Sequence, residues 1–125
     1  MLKKILPLLL LPLLLAGCTA TFTNLTPKQQ VRNANNLYPV EVAFNSRQQS
    51  LRWDSIKPQI LIDGQFYPMR PTLLMTNRWE GLVPVPDGSS VVHYQYKFDF
   101  LNNAFGPAEP NSASSQVYTL RILGQ

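Results

Sequence analysis

The chain has 125 residues, of which 45% are hydrophobic and only 14% charged, with 11 basic against 7 acidic residues. That length holds one domain. Once Lys3 and Lys4 are set aside, the basic residues from Lys28 to Arg121 are scattered and form no stripe that could track a phosphate backbone, which excludes a nucleic-acid partner.

Lys3 and Lys4 precede an apolar run from Ile5 to Leu15 that contains Pro7 and Pro12. The run falls well short of the roughly 20 residues needed to cross a bilayer, and the two prolines argue against a buried helix. A positive start, a short apolar stretch and small residues after it have the plan of a secretory signal peptide. Leu15-Ala16-Gly17-Cys18 resembles the lipobox of bacterial lipoproteins at all four positions. The resemblance implies cleavage before Cys18, diacylglycerol on its thiol and acylation of the new amino group, which makes the membrane a partner through lipid. Several acyl chains anchor lastingly, because each buried methylene adds about 0.8 kcal/mol and a single chain is marginal. Thr19 follows the cysteine where an Asp would resemble the inner-membrane class, so the outer membrane is the favoured location. Residues 1–17 are thus expected as signal peptide, 18–36 as the lipidated cysteine with a tether and lead-in, and 37–125 as the folded domain.

Within the tether, Leu25-Thr26-Pro27 offers a short edge strand, and a short helix over Pro27 to Asn33 is an alternative, with Thr26 as cap and Pro27 at the first helical position. Beyond it, period-two alternation takes over. Tyr38, Val40, Val42 and Phe44 share one face of a half-buried strand. Pro58 to Ile62 and Gln65 to Met69 flank Asp63-Gly64, a two-residue hairpin signal because both turn positions must accept positive φ. Arg78 to Val85 is a further strand. Val91 to Phe100 alternates most cleanly, with Val92, Tyr94, Tyr96, Phe98 and Phe100 on one face, and is expected at the centre of the core. Leu101 to Ser115 reads as a long loop, and Val117 to Leu123 as the last strand. The pattern predicts an all-β, immunoglobulin-like antiparallel β-sandwich of six or seven strands, with a barrel as the alternative.

The stretch Trp79 to Phe100 is similar to the immunoglobulin-like early-set domains, including glycogen-binding modules. It has a tryptophan strand, the turn Val85-Pro86-Asp87-Gly88, and then Tyr94-Gln95-Tyr96-Lys97-Phe98. The resemblance implies a sandwich fold and a glycan as one class of ligand.

No catalytic residues emerge. His93 is the single histidine and falls on the outer face of its strand, where a general base would lack an orienting partner and a nucleophile. The acids Glu41, Asp54, Asp63, Glu80, Asp87, Asp99 and Glu109 are dispersed, without the opposed pair that glycoside hydrolysis needs. With Cys18 lipidated and one histidine left, no metal and no cofactor are expected. Binding remains. Trp53 and Trp79, with Tyr67 and Phe105, are the candidate surface. Trp79 is expected in the core, and Phe105 is expected to be pinned beneath its loop. Trp53, in the stretch Arg52-Trp53-Asp54 that alternates poorly and reads as lying between strands, is open between core and surface. Three functions stay open: a non-enzymatic module that docks another envelope protein, a glycan-binding module held at the membrane, and a purely structural lipoprotein without a specific ligand.

Overall fold

A computed structural model describes residues 20–124. The expected signal peptide, Cys18 and its expected lipidation therefore lie outside the described residues. Nine strands form in chain order: β1 (Ala20–Asn24), β2 (Gln29–Val31), β3 (Leu37–Ser46), β4 (Leu51–Ile62), β5 (Gln65–Pro68), β6 (Arg70–Pro71), β7 (Arg78–Pro84), β8 (Val91–Asn102) and β9 (Glu109–Leu123). They make a four-stranded sheet in the order β1-β3-β7-β6 and a five-stranded sheet in the order β2-β9-β8-β4-β5. The fold is the expected all-β sandwich, with nine strands in place of six or seven.

The alternation explains the core. Tyr38, Val40, Val42 and Phe44 of β3, with Trp79 and Val83 of β7, face Ile60 of β4, Tyr94, Tyr96, Phe98 and Phe100 of β8, and Leu120 and Ile122 of β9; all are buried. β8 lies at the middle of its sheet, paired with β4 on one side and β9 on the other. Phe44 is the centre of the packing. Its ring lies 5.0 Å from Phe22, 5.0 Å from Phe98 and 6.5 Å from Trp79, which joins three strands of one sheet to the other. The Asp63-Gly64 turn has φ of 49° and 78°, the two positive values a tight hairpin between β4 and β5 requires. Gly81 is needed for closeness, since a Cβ there would stand 3.0 Å from Ile60 Cδ1 and 3.3 Å from the Pro68 carbonyl oxygen.

Four expectations are corrected. The helix over Pro27 to Asn33 is replaced by β2, which pairs in parallel with β9 and makes that sheet mixed. The early edge strand lies at Ala20–Asn24, inside the segment read as tether, where Phe22 alternates inward; just past it the Leu25 N–H still bonds across, to the Glu41 carbonyl at 2.9 Å. The loop expected over 101–115 shrinks to 103–108, because β8 and β9 continue as a hairpin to Asn102 and Glu109. The exposed Pro110, Asn111, Ser112 and Ser114 carry no apolar alternation, so backbone pairing alone defines this part of β9. Arg52-Trp53-Asp54 belongs to β4, whose pairing with β8 shifts register between Arg52 and Lys57. Such an irregularity scrambles a period-two pattern.

Phe44→Ala is expected to lower the unfolding free energy by about 3–5 kcal/mol, as large aromatic truncations in cores do. Leu82→Ala, on the opposite and exposed face, should cost well under half of that. Urea unfolding followed by tryptophan emission checks both, and equal losses would mean that the aromatic cluster is not the centre of stability.

Candidate functional site

The candidate aromatic residues separate in space. Trp79 is 6% exposed and belongs to the core; Trp53 is 42% exposed and lies against it, the two rings nearly parallel at 8° with centroids 6.5 Å apart. Trp53 thus extends the core aromatic stack to the rim of the sandwich. Phe105, expected beneath its loop, stands fully exposed at the tip of the β8–β9 hairpin. Gly106 beside it has a φ of 96°, a turn conformation that favours glycine. Tyr67 is half-buried in β5 and donates to Gln65 Oε1 at 3.1 Å.

Tyr67 lines a groove that the sequence did not disclose. It holds about 790 Å³ and runs over the outward side of β3 and β7, where Pro39 is paired with Leu82 and Glu41 with Glu80. Leu25 and Met69 border it from the two chain segments that cross between sheets. Leu82 is 52% exposed, so the floor is apolar and open to solvent. The register brings two of the dispersed acids, Glu41 and Glu80, directly opposite each other. Like charges in that position repel, and two contacts offset this: Arg70 reaches Glu80 Oε2 at 3.1 Å, and the Thr72 hydroxyl donates to Glu41 Oε2 at 3.4 Å. The groove is therefore an apolar strip with a partly neutralised acidic edge. The signal in the sequence was the outward apolar residue in a strand, Leu82, but its partners become visible only with the register.

A hydroxyl network lies between the sheets and meets the groove's lining at Thr26. The Tyr96 hydroxyl donates to Asn24 Oδ1 at 2.7 Å, and Asn24 Nδ2 donates to the Tyr94 hydroxyl at 2.8 Å. Thr26 Oγ1 lies 3.2 Å from the Tyr96 hydroxyl and accepts from the Glu41 N–H at 2.8 Å. Burial pushes the Tyr96 phenol far above its ordinary ionisation range, and burial together with the neighbouring Tyr94 raises Tyr118 as well. His93 sits on the exposed face, its Nδ1 3.0 Å from the Thr119 hydroxyl on β9. Among the described residues no group of three or more His, Cys, Asp or Glu side chains comes together as metal ligands would.

These features define a class, an all-β two-sheet sandwich whose accessible surfaces are an open apolar groove and a set of exposed apolar loop tips. No family model, curated protein or solved structure matches the chain.

The tyrosine network gives the fold an alkaline limit. Tyr96 is neutral when folded well past the pH near 10 at which an unfolded tyrosine ionises. The unfolded chain then binds fewer protons than the native one, so stability is full below pH 10 and falls above it, by about 1.4 kcal/mol per pH unit for one such group. Tyr96→Phe should be less stable at neutral pH, through loss of its bond to Asn24, and should show a shallower decline above pH 10. Unfolding free energies measured from pH 8 to pH 11.5 test this; parallel curves for the two proteins would refute it.

Proposed function

We propose that the chain is a lipid-anchored protein of the bacterial envelope, favouring the outer membrane, whose immunoglobulin-like sandwich docks another envelope protein without catalysis of its own. The lipobox Leu15 to Cys18 supports the anchor. The groove over β3 and β7 is the observation that carries the docking role. An open apolar strip around Leu82, edged by Glu41, Glu80 and Arg70, suits an apolar segment of a partner flanked by polar groups. The core does not need it, since Leu82 points away from the other sheet.

Two measurements test the reading. The intact mass of chain purified from membranes should equal residues 18–125 plus diacylglycerol and an amino-terminal acyl group, and Cys18→Ser should leave the leader attached. A photo-crosslinking side chain at position 82 should trap one defined protein in living cells, whereas the same group at Gln116, outside the groove, should not. Trapping of abundant neighbours alone, in equal measure from both positions, would remove the docking role.

Trp53 favours a second reading, glycan binding, because a half-exposed indole backed by a stacked Trp79 resembles the stacking surface that sugar rings use. In that case the protein should co-sediment with peptidoglycan or an insoluble polysaccharide, and Trp53→Ala should abolish this while circular dichroism shows the variant still folded. Co-sedimentation unaffected by Trp53→Ala would end the idea.

A further inference from the structure

The two ends of the sandwich differ in kind. One end gathers residues 32–36, the Asp63-Gly64 turn and residues 85–90. The Arg32 guanidinium ties it together, donating to the carbonyl oxygens of Val85 at 2.8 Å and of Ser89. Its turns carry none of the large apolar side chains exposed among the described residues; those nearest to it, Val31, Phe66, Val91 and Leu123, lie on the strands beside the turns.

The other end gathers the start of β1, residues 47–50, residues 72–77 and the hairpin tip at 103–108. Ala20 is paired with Ser46. The Phe44 N–H donates to the Asn77 carbonyl at 3.0 Å, and Asn77 Nδ2 donates to Asn45 Oδ1 at 3.2 Å, which holds the 72–77 loop beside the end of β3. The Asn103 N–H donates to the Ser50 carbonyl at 2.7 Å, which brings in the hairpin tip. On this end Leu73 is 86% exposed, Leu74 96% and Phe105 wholly so, and the half-exposed Trp53 lies just behind them.

Neither packing nor backbone accounts for these residues. Leu74 has a φ of 64°, a conformation that favours glycine or asparagine, yet a leucine stands there with its side chain in solvent. Exposed apolar side chains clustered on one surface mark a contact. Arg47 and Arg52 are exposed at the same end and Arg78 half-buried; Asp54 and Glu109 are its acids.

We infer that this end faces the bilayer, with Leu73, Leu74 and Phe105 entering the headgroup boundary and Trp53 at the level of the interface. The inference rests on the proposed acylation of Cys18. Ala20 is two residues beyond Cys18, and two residues span at most about 7 Å. An acylated Cys18 therefore holds the start of β1 at the membrane surface, and the apolar loop tips belong to the same end. Tryptophan rings prefer that interface, and the arginines suit anionic headgroups.

The mature acylated protein, residues 18–125, reconstituted into vesicles of phosphatidylethanolamine and phosphatidylglycerol, tests this directly. An environment-sensitive fluorophore is attached to Leu73→Cys, to Phe105→Cys and, at the opposite end, to Ser89→Cys. These side chains are exposed, and unchanged unfolding midpoints verify that the fold survives. The expected result is blue-shifted emission at positions 73 and 105, largely lost to nitroxide-bearing lipids, with position 89 unshifted and unquenched. Equal, water-like emission at all three positions in a protein whose mass shows the acyl chains would overturn the inference while leaving the anchor intact. A mass without acyl chains would remove the anchor and the inference together.

Discussion

The sandwich depends on where its first strand goes. Phe22 enters between Phe44 and Phe98, 5.0 and 5.1 Å from their rings, so β1 closes the core at the same time as it extends the four-stranded sheet. Three residues later the chain leaves that sheet, and Thr26 bonds both to the β3 backbone and to the Tyr96 hydroxyl of the opposite sheet. β2 then joins the five-stranded sheet in parallel with β9. One short segment thus clamps both layers, and its antiparallel pairing with β3, Ala20 opposite Ser46, sets the direction in which it enters. That constraint sets Ala20 at the end of the molecule that carries Trp53 and the exposed loop tips.

The aromatic core has a gradient along the strands. Toward the polar end it consists of tyrosines, Tyr38, Tyr94 and Tyr96, whose hydroxyls find partners in Asn33, Asn24 and Thr26. Toward the other end it consists of Phe44, Phe98, Phe100, Trp79 and Trp53, which meet edge-on or tilted apart from the stacked tryptophans. A buried tyrosine needs a partner for its hydroxyl, and the crossing segment at Asn24 and Thr26 supplies one. The phenylalanine end has no such polar crossing nearby, and its apolar character continues outward through Trp53 to the surface.

Much of this was legible in the chain and some of it was not. Alternation located β3, β7 and β8 because each buries one face only, and Asp63-Gly64 marked its turn because few dipeptides accept two positive φ values. β1 carried the same signal in miniature, with Ala20, Phe22 and Asn24 inward, but five residues rich in threonine and asparagine also read as tether. In the first half of β9 the residues that turn inward, Ala113 and Ser115, are small, so no apolar period exists to read. Trp79 stands in an alternating strand and Trp53 in a stretch of poor alternation; the register irregularity in β4 is the cause of that difference, and it hid the strand to which Trp53 belongs. The groove and the apolar end are harder still, because each is assembled from residues far apart in the chain, Pro39 with Leu82 in one and Leu74 with Phe105 in the other.

The two surfaces make compatible demands on orientation. The groove lies on the side of the four-stranded sheet, over Pro39, Glu41, Glu80 and Leu82, toward the polar end of β3 and β7. A sandwich standing on its apolar end would present that side parallel to the membrane normal, open to a partner approaching along the surface. A sandwich lying on the sheet face would cover the groove and leave Leu73, Leu74 and Phe105 in water. The first arrangement accounts for every unusually exposed apolar residue at the loop tips and leaves Leu82 free. It also places Trp53 at the headgroup level, where an indole needs no sugar to explain its exposure, so within the proposed anchorage the groove is the stronger site for a partner.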